Sequence, residues 1–194
     1  MARDTRDRMV RSAVQLFRRH GYNGTGLREV LADSAAPRGS IYHHFEGGKA
    51  QLGVEAVIDA GQFIGAAAVT AMQTADVVEA VRRFVAWWTD YMAETGFQAG
   101  CPIVAVAAEF HPEAPQLTAT AAAVFEQWQR GLTGRLRAAG IGARDARELA
   151  VLVIAAIEGA TVMCRAQGDR EPLTRVSRQL TKTLRCALSA GPTP

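Results

Sequence analysis

The chain is short of cysteine, of lysine and of long apolar runs, and each shortage excludes something. Its three cysteines, Cys101, Cys164 and Cys186, are odd in number, widely separated and without C-x-x-C spacing. Neither a disulfide framework nor a zinc site is expected, and a reducing cytoplasm fits. The longest apolar run, Leu149 to Ile157, is nine residues, against about 20 for a membrane span, so no membrane partner is expected. The opening Met-Ala-Arg-Asp-Thr-Arg-Asp-Arg has no apolar segment behind it, so no secretory signal is expected. Catalytic signatures are missing too. There is no G-x-S-x-G, no H-E-x-x-H and no phosphate loop, and Gly24-Thr25-Gly26 lacks the strand context that a nucleotide loop needs. The sequence predicts neither an enzyme nor a cofactor.

Positive charge is present but unevenly spread. Residues 1–50 carry nine Arg or Lys against five Asp or Glu, whereas residues 51–194 carry thirteen against fourteen. The positive excess therefore sits in the first quarter, which points that segment toward an anionic partner.

Helical periodicity dominates. Met9, Ala13, Leu16, Phe17 and His20 fall on one face of a helix over about residues 4–20. Gly21 ends it, since glycine accepts positive φ. Thr25 is placed to cap a short second helix that turns Leu27, Val30 and Leu31 inward. Ala35-Ala36-Pro37 interrupts, and a third helix from about Arg38 puts Ile41 and Phe45 on one face. After Gly47-Gly48 the helices lengthen, over about 49–72, 76–95, 115–139, 143–167 and a last one from Pro172, with a short one after Pro102. The expected fold is all-α with about nine helices. A small basic N-terminal head of three helices (1–48), a candidate helix-turn-helix DNA-binding domain, precedes a larger C-terminal helical bundle (49–194).

A helix-turn-helix turns the second helix of the pair outward, toward the major groove. Here that face holds Arg38, Gly39, Ser40, Tyr42, His43 and His44, once Ile41 and Phe45 point into the core. Arg38 can pair with guanine or phosphate, Ser40 and Tyr42 can donate to phosphate oxygens, and Gly39 allows close backbone approach. Taken singly, these residue types are ordinary on any surface; it is their joint pattern with spacing, turn and basic excess that carries weight. Adjacent histidines on a helix point about 100° apart, and neither has an acidic or cysteine partner at i+4, so no metal is expected.

Residues 25–52, and above all Ile41-Tyr42-x-His44-Phe45, resemble the DNA-binding domain of TetR-family transcriptional regulators. The resemblance implies that Thr25 and Arg28 contact DNA from the second helix and that Arg38 to His44 form the recognition helix. It also implies that Lys49 grips a phosphate at the start of the fourth helix. The two glycines before Lys49, with Gly100-Cys101-Pro102-Ile103 and Glu109, resemble the LmrA/YxaF-like subgroup. There are departures from the pattern: Gly26 replaces a hydroxyl, Ala36-Pro37 replaces Gly-Val in the turn, and Glu46 sets a negative charge near the expected DNA surface.

In the body, Phe84, Trp87, Trp88 and Tyr91 crowd two turns of one helix. Each is a natural core residue. With Phe110, Phe125 and Trp128 they could instead line an apolar cavity for a small molecule, and the resemblance implies a flat, hydrophobic or aromatic effector. Cys101 is either structural or pocket-lining. Glu158 is either a buried group facing the effector or the end of an apolar stripe. The run over 149–157 is apolar nearly all round and should be buried on both sides. Leu149, Val153 and Ile157, with Val176, Leu180 and Leu184, are therefore the expected homodimer seam. The reading is a ligand-responsive repressor on a palindromic double-stranded operator. The alternative is a helical protein-interaction module that has lost DNA binding.

Overall fold

The periodic segments become nine α-helices and no strand among residues 2–190, which are the residues described in the computed structural model. They are α1 (Ala2–His20), α2 (Leu27–Asp33), α3 (Ser40–His44), α4 (Gly48–Ala71), α5 (Val77–Ala93), α6 (Pro102–Ala107), α7 (Pro115–Ala138), α8 (Ala143–Gln167) and α9 (Glu171–Ser189). The chain divides into two compact units. The first is Met1–Phe63 with Gly100–Val124, and the second is Ile64–Ala99 with Phe125–Pro194.

In the first unit α1 buries Met9, Ala13, Leu16 and Phe17, matching its sequence period. The end of α1 is held by Gly21 at φ +75°, with its N–H on Phe17 O at 3.0 Å. Thr25 does not cap α2. The capping position is Gly26, with no side-chain bond, because the Thr25 hydroxyl is spent on Gly21 O at 2.7 Å. The far end of α2 closes as a Schellman turn, Ala36 N–H on Leu31 O and Ala35 N–H on Ala32 O. Its left-handed residue is Ala35 at φ +51°, where a Cβ is strained by about 1 kcal/mol. Ala35→Gly should accordingly raise stability by up to about 1 kcal/mol. A thermal midpoint raised by a few degrees would show it, and a lowered one would contradict the strain argument.

Polar ties fix the head. Arg8 Nε donates to Ser34 O at 3.1 Å, and the Ser12 hydroxyl donates to Val30 O. Arg6 pairs with Glu55 of α4 and lies 5.1 Å from the Phe45 ring centroid. The start of α6 is bound to α1 in both directions: Arg18 Nε donates to Gly100 O at 3.1 Å and Gly100 N–H to Arg18 O at 2.9 Å. Arg18, on a stretch that by default faces water, is only 2% exposed.

In the second unit Asp76 caps α5, accepting from Val78 and Glu79 N–H at 2.8 and 3.3 Å. α9 packs on both α5 and α8. Trp88 Nε1 donates to the Thr161 hydroxyl at 2.8 Å, which in turn donates to Ile157 O, so α5 is pinned to α8. Gly168 at φ +67° ends α8.

Two helices, α4 and α8, are long and apolar enough to cross a membrane by length and composition. Counting uninterrupted runs misses them because Glu55, Asp59 and Glu158 break those runs. Each has one face buried, through Leu52, Ala56, Val57 and Ala60 in α4 and through Ala146, Ala150, Val153, Ile157 and Ala160 in α8.

Candidate nucleic-acid interface and the aromatic cluster

Only Ile41 of α3 is buried among its five residues, and Phe45 behind it is fully buried. These two anchors leave Arg38, Gly39, Tyr42 and His43 exposed, with Tyr42 at 66%. Ser40 sits at the helix start with its hydroxyl on Pro37 O at 2.6 Å. His44 is half-buried, its ring edge-on to His43 at 4.9 Å. Arg28 is exposed on α2.

Two expected DNA contacts are placed differently. Thr25 is 1% exposed with its hydroxyl occupied, so it holds the α1–α2 turn and presents nothing outward. Lys49 lies in the first turn of α4, but its ammonium is folded back over the Tyr22 ring, 4.3 Å from the centroid. Burial lowers its pKa, and the nearby Glu109 carboxylate works against that shift. Burial likewise pushes the Tyr22 phenol up.

Beside Lys49 is a junction that sequence reasoning did not find. Glu109, just past α6, accepts the Asn23 N–H on Oε2 at 2.8 Å. Its other oxygen packs directly on Gly21, where a Cβ would collide with it. Asn23 Nδ2 reaches Phe110 O at 3.4 Å, and His111 meets the Tyr22 ring edge-on at 5.0 Å. Gly21 thus serves two purposes, the left-handed turn and the seat of Glu109. Gly21→Ala should cost about 1–3 kcal/mol, from backbone strain plus a displaced carboxylate. A thermal midpoint within a degree of the parent would refute this.

The body's aromatics gather on α5. Trp87 and Tyr91 stack nearly parallel at 5.6 Å, and Phe84 and Trp88 flank Trp87 at 5.7 and 5.8 Å. Trp88 is buried, whereas Phe84, Trp87 and Tyr91 stay half-exposed. Phe125 and Trp128 of α7 meet edge-on at 5.6 Å, and Glu158 is half-buried on α8. All of these belong to the second unit. Phe110 does not: it lies in the first unit and is 84% exposed, so it lines no cavity in this chain. The reason is local. The backbone of Phe110 is drawn to Asn23 while Glu109 and His111 turn inward on either side. Cys101 is also in the first unit, buried at the start of α6.

The expected dimer seam also needs correction. Val153, Ile157, Leu180 and Leu184 are buried within the chain, and Leu149 and Val176 are partly covered. The buried four belong to the chain's own packing, in the unit where α9 meets α5 and α8. The apolar residues of α8 left in water are Val151, Leu152, Val162 and Met163, with Ala155 and Gly159 between them.

Comparison with known proteins agrees with this architecture. Residues 10–56 match the model for bacterial regulatory proteins of the tetR family. Residues 77–179 match that for the C-terminal domain of LmrA/YxaF-like transcriptional regulators. The chain is 40% identical to the HTH-type transcriptional regulator Rv0196 of Mycobacterium tuberculosis, over 92% of this chain and 93% of that one. It is 27% identical to the HTH-type transcriptional repressor DhaR of a Mycobacterium species, over 87% and 86%. A TetR transcriptional regulator from Chloroflexus aurantiacus, known from its crystal structure, superposes with a TM-score of 0.81 at 28% identity, over 95% and 96% of the two chains. With its helix-turn-helix head and its LmrA/YxaF-like body, the chain belongs to the TetR family of transcriptional regulators.

Proposed function

We propose that the protein is a cytoplasmic, ligand-responsive repressor that binds a palindromic operator as a homodimer and is released by a small hydrophobic or aromatic molecule. The observation that carries the DNA reading is the outward row of Arg38, Gly39, Tyr42 and His43, held out by the buried Ile41 and Phe45. Arg28, Ser40, His44 and a re-extended Lys49 complete the contact set. By task, residues 1–48 read DNA and residues 49–194 sense the effector and dimerise. The half-exposed stack of Trp87 on Tyr91, with Phe84, Phe125, Trp128 and Glu158 in the same unit, supplies the effector-binding surface. Repression, as distinct from activation, is supported by the relative DhaR, which is named a repressor. Release follows if the effector favours a dimer whose heads no longer match successive major grooves.

The test is selection of binding sequences from a random duplex pool by the full-length protein, followed by titration. A two-fold related site should emerge. Arg38→Ala with Tyr42→Ala should weaken it at least about 100-fold, at about 1–3 kcal/mol per lost base contact in each head. Undiminished binding by that variant would remove α3 as the reading helix, and failure of any site to emerge from the pool would favour a protein-interaction module instead.

A further inference from the structure

Lys49 has an internal partner set that resembles what DNA would offer it. Its ammonium lies on the face of Tyr22 at 4.3 Å, and that ring is fixed edge-on by Phe17 at 5.5 Å and His111 at 5.0 Å. Glu109 supplies the negative charge. Its carboxylate is seated by the Asn23 N–H and by the bare Cα of Gly21, so it cannot follow Lys49 outward without breaking that seat. An ammonium drawn inward over Tyr22, whose chain neighbours Gly21 and Asn23 seat the Glu109 carboxylate, cannot at the same time reach an external phosphate.

We infer that Glu109 is a built-in competitor of operator phosphate for Lys49. Glu109 is thus a positioning residue, acting on DNA only through Lys49. The inference rests on the DNA-binding reading above and adds a residue-level control to it. Because the contact at stake is to phosphate, its effect should be uniform across sequences and sensitive to salt.

The experiment uses the full-length protein, an operator duplex selected from a random pool, and a random-sequence duplex of equal length. Glu109→Gln keeps an acceptor for Asn23 N–H and removes the charge. It should tighten both duplexes by about three- to tenfold and steepen the salt dependence. The gain should vanish in a Lys49→Met background. The chain has only two lysines, Lys49 and Lys182, so carbon-13 lysine labelling gives a second readout. The Lys49 ε-methylene should be ring-shifted upfield in the free protein and return to its ordinary position on saturation with DNA. Tightening that persists with Lys49→Met, unchanged or weaker binding by Glu109→Gln, or a Lys49 signal unmoved by DNA would each overturn the inference alone. Failure of the parent protein to bind any duplex would overturn the DNA reading and this inference with it.

Discussion

Glutamate at both Val151 and Met163 should turn the proposed homodimer into a folded monomer and weaken operator binding by about 10²–10⁴-fold. The argument starts from helix geometry. α8 runs 25 residues, and its face through Ala146, Ala150, Val153, Ile157, Ala160 and Cys164 is buried in the chain. The opposite side shows Val151, Leu152, Ala155, Gly159, Val162 and Met163 to water. Four large apolar side chains on one helix face, with two small residues between them that permit close backbone approach, make a surface suited to being covered. Each contributes about 1.5–3 kcal/mol when buried. In the proposed homodimer a second copy offering the same face would cover them by two-fold symmetry. Val151 is 49% exposed and Met163 54%, so glutamate there should change the stability of the single chain by no more than about 0.5 kcal/mol. In the dimer the same carboxylates would be desolvated and would face each other across the axis, at several kcal/mol. Helical content should therefore stay at the parent value while the mass measured by light scattering halves. DNA binding falls because one head reads only half a site. A variant that remains dimeric would move the seam elsewhere on the body.

The same helix shows how far the sequence carries. Its apolar character all round calls for two covered faces, and its bounds near 143 and 167 are legible. Which face the chain covers for itself was not legible, because periodicity states which residues share a face and not what lies opposite. Val153 and Ile157 were assigned to the seam, yet they pack internally in the unit where α8 meets α9. The head was more legible, since Ile41 and Phe45 fix α3 through short-range spacing. Thr25 misled because a hydroxyl before an apolar run is a natural cap, whereas its nearest free acceptor was the Gly21 carbonyl four residues back. Glu109 carried no sequence signal beyond family resemblance, because its partners Gly21, Asn23 and Lys49 lie at least 60 positions away.

Arg18 is another case of a long-range partner, and its removal should be the most damaging single change in the head. It is among the largest fully buried side chains, at 2% exposure. Its Nε serves the Gly100 carbonyl, 82 residues away, and its Nη1 serves Gln15 Oε1 at 3.0 Å. Meanwhile its own carbonyl accepts from Gly100 N–H, so one residue closes a two-way bridge between α1 and the start of α6. Arg18→Met keeps most of the stem volume and removes every donor. The buried Gly100 carbonyl is then left without this partner, and the loss should be about 2–4 kcal/mol. For a chain of this length that corresponds to a thermal midpoint lower by about 4–16 °C. Arg18→Lys should recover only part of it, since an ammonium cannot reproduce the planar fork. The exposed Arg11 is the control, and its alanine variant should stay within about 0.5 kcal/mol of the parent. If Arg18→Met melts within 2 °C of the parent, roughly the shift of a sub-kcal/mol change, the bridge is geometry without energy. A large drop would show that α6 and the DNA-reading head are held together from the inside, by a residue that its sequence neighbourhood assigns to the solvent.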